Sequence, residues 1–184
     1  MTTNTLSRLP LVDPASATGR TKELLDGIAL QMGGVPNFLR ALASSPAALE
    51  AYLGLNGKLQ TGKLDKQIAE RVALVLAETN SCQYCVSAHT TLADKAGLSE
   101  DEILAARKGG ASEPKADAAV RFAKAVVEHR GDVTTAEVQS LREAGFGSDE
   151  IVEIISHIAL NTLTNDIGKI GQIDIDFPEV ALLS

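Results

Sequence analysis

Residues 70–97 read ERVALVLAETNSCQYCVSAHTTLADKAG, and they hold both cysteines of the 184-residue chain. Cys82 and Cys85 form a C-x-x-C, with His89 four residues further on. Asn80 and Ser81, just ahead of Cys82, are N-cap residue types, and Gly97 is the type that ends a helix. The stretch predicts a helix over about 82–96 with both thiols in its first turn. At about 100° per residue, Cys82, Cys85 and His89 then share an arc of about 60°. Free N–H groups and the positive dipole end at a helix start favour thiolate over thiol. An imidazole one turn below Cys85 can take or return a proton.

Outward from this stretch, every segment carries helix punctuation. Upstream, Leu64, Ile68, Val72, Val75 and Leu76 form an apolar stripe at helical spacing, with Asp65 as its cap. Ser45-Pro46 reads as N-cap and first residue of a helix to about Gln60. Pro36 opens a short helix, NFLRALA, and Thr18 or Thr21 caps one that runs to Met32 and stops at Gly33-Gly34. Downstream, Ser99-x-x-Glu102 and Thr134-x-x-Glu137 are capping boxes. Ser112-Glu113-Pro114 starts a helix to about His129, closed by Gly131, and Ser148 is expected to cap the long last helix, DEIVEIISHIALNTLTNDI. Only IDIDF, residues 173–177, alternates with period two. The expectation is an all-α fold, a compact helical bundle formed by one domain over 18–184. Residues 1–17 are polar, Pro-containing and aperiodic, and read as an extended arm that a neighbouring subunit could receive.

The composition bounds the function. Hydrophobic residues make up 45% of the chain, but aromatics only 3% with no Trp, so the core must be Ala, Leu, Ile and Val. A net charge of −7 argues against nucleic acid or an anionic membrane surface as partner. No apolar run reaches the ~18 residues of a membrane span, and the N-terminus lacks the apolar region of a signal peptide. The expected location is the cytoplasm. In a reducing compartment a C-x-x-C reads as redox-active or metal-binding rather than as a staple.

Each candidate residue has a bland reading beside its chemical one. Two cysteines can be small buried hydrophobes. With His89 they offer zinc three ligands where four are preferred, and no second cysteine pair completes the set. Glu70 and Glu78 both lie on the apolar helix upstream, and spacing alone does not choose between them as partner for His89. Tyr84 either donates its phenol proton into the site or covers the sulfurs. Glu153, His157, Asn161 and Asn165 recur every four residues in the last helix. That stripe reads first as a subunit interface or solvated face, and second as a cavity lining. His129 sits beside a helix C-terminus, where a cation is favoured, and reads as structural.

Glu70, then Asn80, then C-Q-Y-C-V-S-A-H resembles the signature of the alkylhydroperoxidase D-like, or carboxymuconolactone decarboxylase-like, superfamily. The likeness extends more loosely from about Gly33 to Pro178. VPNFLRAL, GLSEDEI and N-x-x-x-N…D-F-P are similar to its peroxidase-related branch. The resemblance implies a helical domain of that type and selects Glu70 as the relay carboxylate. It implies a peroxidase in which His89 deprotonates Cys85, Cys85 attacks a hydroperoxide, and Cys82 closes a disulfide. No haem or flavin is required. The implied partner is a lipoyl-bearing or thioredoxin-like dithiol donor. The implied assembly is a homo-oligomer, a hexamer built as a trimer of dimers ahead of a trimer. One position departs: Tyr84 stands where redox members carry a histidine between the cysteines. The other readings are a lactone decarboxylase of aromatic-acid catabolism, a metal-binding module without enzymatic activity, and a structural oligomer. The C-x-x-C counts against the lactone chemistry, which needs a proton donor and a carboxylate pocket but no dithiol.

Overall fold

A computed structural model describes residues 7–183, and among them lie nine α-helices and no strand. In chain order these are α1 (Gly19–Met32), α2 (Asn37–Leu42), α3 (Pro46–Leu59), α4 (Lys66–Thr79), α5 (Gln83–Lys95), α6 (Glu100–Arg107), α7 (Pro114–Glu128), α8 (Thr135–Glu143) and α9 (Ser148–Gly171). The all-α expectation holds. Among the described residues no helix is long and apolar enough to cross a membrane.

Helix α4 is the hub, because its sequence is apolar around most of its circumference. Ile68 and every residue from Arg71 to Ala77 are buried, and α5, α6, α7 and α9 all pack on it. On one side Val72, Val75 and Leu76 meet Ala119, Val120 and Ala123 of α7 and Ile151, Ile154 and Ile158 of α9. The small alanines bring α7 close, which suits a chain poor in aromatics. On the other side a second core joins Leu25, Leu39, Leu49 and Val86 to Cys82 and Cys85. The cysteines thus lie inside a hydrophobic core, 2% and 4% exposed.

The caps at Ser45, Asp65, Ser99 and Thr134 form as their sequence patterns require. Two expected caps shift. Asn80 ends α4 and Ser81 takes a left-handed conformation (φ 54°), so Cys82 itself is the N-cap of α5. Gly147, not Ser148, precedes α9, and the Glu150 carboxylate accepts its N–H at 2.9 Å. A Glu at N3 can substitute for a capping side chain because it reaches back to the orphan donor.

The alternating IDIDF segment is not a strand. It belongs to an irregular strap, residues 172–183, held to the bundle by side chains. Asp176 accepts from Asn37 N at 2.7 Å, Arg107 donates to Ala181 O at 2.6 Å, and Val180 N donates to Ser87 Oγ at 3.0 Å. Lone strands without a ladder partner have no backbone satisfaction, so the alternation is overridden. The expected arm also differs. Residues 1–6 lie outside the described residues, but 7–17 lie on their own subunit. Val12 N donates to Arg40 O at 3.1 Å and Arg40 Nε returns a bond to Val12 O at 3.0 Å.

Candidate active site

Helices α4 and α5 form a hairpin whose far end is closed by Gln67 Nε2 donating to Ala96 O at 3.0 Å. Its near end carries the cysteines, which are joined as a disulfide. Because Cys82 is the N-cap, its sulfur accepts the N–H of Cys85 at 3.3 Å. The orphan donors of the helix start therefore act on Cys82, not equally on both sulfurs as a shared first turn implies.

One turn further along α5, His89 faces α4. Its Nδ1 lies 2.9 Å from Glu70 Oε2, with both side chains largely shielded. An ionised Glu70 accepts the Nδ1 proton, which leaves Nε2 as the basic nitrogen. Glu78 is elsewhere: it binds Arg107 at 2.6 Å, both side chains 9% exposed, and accepts Leu183 N at 3.1 Å. It anchors the strap. The choice that spacing leaves open is thus made by geometry in favour of Glu70.

Cys85, Glu70 and His89 line one cavity of about 520 Å³, together with His157 and Asn161 of α9 and apolar side chains of α1 to α3. Cys82 does not line it. Cys82 instead borders a groove of about 770 Å³ with Gln83, Lys169 and the strap residue Glu179. One cysteine of the disulfide borders each.

Tyr84 is placed as a tie. Its ring packs edge-on to Phe177 at 5.7 Å, and its hydroxyl donates to Asp176 at 2.8 Å while accepting Phe38 N at 3.2 Å. Burial foremost, and the Asp176 charge after it, push the phenol above its ordinary range. The hydroxyl thus ties α5 to α2 and to the strap.

The polar stripe of α9 is not a solvated face. His157 and Asn161 are each 5% exposed and Asn165 is 0% exposed. Asn165 accepts from Asn80 Nδ2 at 2.8 Å, which gives Asn80 a role in seating the α4–α5 turn against α9. Glu153 accepts Lys63 N and Leu64 N, both at 2.8 Å, and closes the turn before α4. His129 is the C-cap of α7, as read.

Burial lowers the His157 pKa, against the raising influence of Glu70 and Glu153 and with a further lowering by His89. The unfolded chain therefore binds a proton at this residue before the folded one does. Stability is expected to be full above about pH 6.5 and to fall as the pH drops below it. Urea unfolding at several pH values, on wild type and His157→Gln, checks this. An unchanged pH slope in the variant would contradict it.

Two residues of the site carry no distinct sequence signal. Asp176 lies in the D-F-P segment, but nothing there ties it to Tyr84. Gly168 lies inside α9, where a Cβ would stand 2.9 Å from Cys82 Sγ and 3.5 Å from Cys85 Sγ. A glycine inside a helical pattern is the available clue, since it costs about 1 kcal/mol against alanine and so needs a packing reason. Gly168→Ala is expected to destabilise the oxidised protein by about 1–3 kcal/mol through overpacking. Denaturant midpoints measure it, and a gain of about 1 kcal/mol, the helix-propensity value, would refute the close approach.

The fold and the paired cysteines define a helical dithiol protein. The sequence profile of the carboxymuconolactone decarboxylase family matches residues 46–129, which include Glu70, both cysteines and His89. No curated protein matches significantly. Among solved structures, the alkylhydroperoxidase AhpD core of an uncharacterized peroxidase-related protein from Ralstonia eutropha JMP134 has a TM-score of 0.84 at 23% identity, covering 95% of this chain and 94% of its own. An uncharacterized peroxidase-related protein from Silicibacter sp. TM1040 has a TM-score of 0.80 at 21% identity, covering 95% of both chains. The debrominase Bmp8, in a variant complexed with 2,3,4-tribromopyrrole, has a TM-score of 0.76 at 19% identity, covering 94% of this chain and 92% of its own. At these identities the likeness carries the fold. Residues 46–129 thus match the carboxymuconolactone decarboxylase family, and the fold of the chain is that of the alkylhydroperoxidase D-like structures.

Proposed function

We propose that the protein is a thiol-dependent peroxidase that reduces hydroperoxides through Cys85 and Cys82, with Glu70 and His89 as proton relay. The observation that carries this reading is the 2.9 Å Glu70–His89 contact in the same cavity as Cys85. A magnitude shows why the relay matters. Lowering a thiol pKa from about 8.5 to about 7 raises the thiolate fraction at pH 7 roughly sixteenfold. The accompanying loss of nucleophilicity returns about fivefold of it, so the net gain is only ~3-fold. Further acceleration needs proton transfer from positioned groups, worth typically 10²–10⁴-fold.

In the reduced protein His89 Nε2 takes the Cys85 proton, and Glu70 steadies the imidazolium. The thiolate attacks the hydroperoxide, the O–O bond breaks, and Cys85 becomes a sulfenic acid while an alkoxide departs. Cys82 protonates the alkoxide, and its thiolate is held by the Cys85 N–H. That thiolate attacks the sulfenic sulfur, forming the disulfide, and the hydroxide leaves with the proton stored on His89. A dithiol donor of the lipoyl or thioredoxin type reaches Cys82 from the strap-side groove. It releases Cys85 as thiolate and departs as its own disulfide.

A lactone decarboxylase has no use for a pair that closes a disulfide, which sets that activity below the peroxidase. The deciding experiment uses reduced protein with neither metal nor flavin added. It should consume about one equivalent of hydroperoxide per subunit, stop, and resume when dithiol is supplied. No consumption at all would reject the reading.

The protein is expected to work as a homo-oligomer, a hexamer ahead of a trimer. On α9, Val152, Ile155, Leu163 and Ile170 are 45% to 66% exposed and stand on one face at helical spacing. An apolar stripe of this length is unusual on a monomer. Light scattering behind size exclusion tests it, and a folded, active species at the 19.3 kDa monomer mass would refute it.

A further inference from the structure

The cavity at Cys85 continues past the relay. Ala88, Leu92 and Lys95 of α5 and Ala69 and Lys66 of α4 also line it, and Leu92 and both lysines are exposed. The Gln67–Ala96 bond joins the two helix ends that carry these lysines, Lys66 opening α4 and Lys95 closing α5. Among the described residues neither makes an ion pair, although Lys22, Lys63 and Lys115 all do. The acidic groups nearest in sequence are otherwise placed: the Asp65 carboxylate caps α4, Glu70 holds His89, and Asp94 does not line the cavity. Ile28, Leu39, Leu53 and Leu160 add apolar wall, and Gln31, Asn56, Gln60 and Asn161 add polar wall.

The dimensions set a ligand length. Cys85 and Lys95 are ten residues apart on one helix, or about 15 Å at the α-helical rise. An extended chain gains roughly 1.2 Å per bond, since three backbone bonds span about 3.6 Å. The span therefore equals about a dozen bonds. A small hydroperoxide leaves such a channel to water, whereas an acyl chain buries its apolar walls.

We propose that the substrate is a long-chain carboxylate hydroperoxide. Its carboxylate sits at Lys66 and Lys95, and its peroxide group, about a dozen bonds along, meets Cys85. This rests on the peroxidase reading and names its substrate class. The redox step is the one written above: the O–O bond breaks, Cys85 is oxidised, and the hydroxy acid leaves with the proton from Cys82.

Two measurements test it. The first compares kcat/KM for linoleic acid hydroperoxide and for its methyl ester, in wild type and in the double variant Lys66→Gln, Lys95→Gln. Wild type should favour the acid by about 3- to 10-fold, the range of two partly exposed ion pairs, and the variant should lose that ratio. The ester serves as internal control within each protein. The second, by calorimetry, compares binding of the hydroxy acid product and its methyl ester, which needs no turnover. An acid-to-ester ratio near one in wild type, in both assays, overturns the proposal. So does a ratio that survives the double substitution. Preferential binding of the acid without turnover of either hydroperoxide would keep the site and reject the peroxidase reading.

Discussion

Cys85→Ser is expected to abolish hydroperoxide turnover, while Cys82→Ser stops the cycle one step later, with a sulfenic acid on Cys85. The asymmetry follows from the two sides of the disulfide. Of the two, only Cys85 lines the cavity that holds Glu70 and His89, and only Cys82 lines the strap-side groove. A serine hydroxyl at position 85 has no accessible anion and no two-electron chemistry with a peroxide. A serine at position 82 keeps the nucleophile and its relay, slows the first step by removing the acid that protonates the alkoxide, and removes the resolving thiol. A dimedone adduct on Cys85 of the Cys82→Ser protein is the readout, and prolonged peroxide should carry it on to sulfinic acid. Turnover surviving in Cys85→Ser, or an adduct that forms only on Cys82 in that variant, would exchange the roles of the two thiols.

Glu70→Gln and His89→Ala are each expected to slow the reaction by about 10²–10⁴, with a double variant little slower than either single one. The two act as a unit because the carboxylate fixes the tautomer and steadies the charge of the imidazole that does the work. Glu78→Gln is the control. Its carboxylate is taken up by Arg107 and Leu183 N, so the change should loosen the strap and lower stability while the rate per folded subunit stays near wild type. Single-turnover kinetics under excess hydroperoxide separate these effects. A damaging Glu78→Gln beside a silent Glu70→Gln would break the relay assignment.

Much of this was legible in the sequence, for physical reasons that differ from place to place. Ser99, Thr134 and Ser45-Pro46 announce their helices because capping is local chemistry within four residues. Cys82, Cys85 and His89 announce a site because one helix face brings them together. The cap at Cys82 was hidden, since Asn80 and Ser81 are better capping types. Their places in the α4–α5 turn are set by Asn165, which lies far along the chain. The α9 stripe was readable as a stripe but not as a lining, because periodicity gives a face and not what covers it. The strap is a case of the same kind. IDIDF alternates, yet Asp176 is occupied by Tyr84 and Asn37 rather than by a neighbouring strand. Glu70 and Glu78 lie eight residues apart on one helix, and only the packing of α5 and α6 tells them apart.

The most direct test of the dithiol mechanism is mass spectrometry of the fully reduced protein before and after a substoichiometric pulse of organic hydroperoxide. Conversion of the pulse, mole for mole, into a Cys82–Cys85 disulfide is expected, with loss of two hydrogen atoms per disulfide and no added oxygen. A pulse that leaves both thiols free, or that ends as stable oxygen adducts with the disulfide absent, would contradict it.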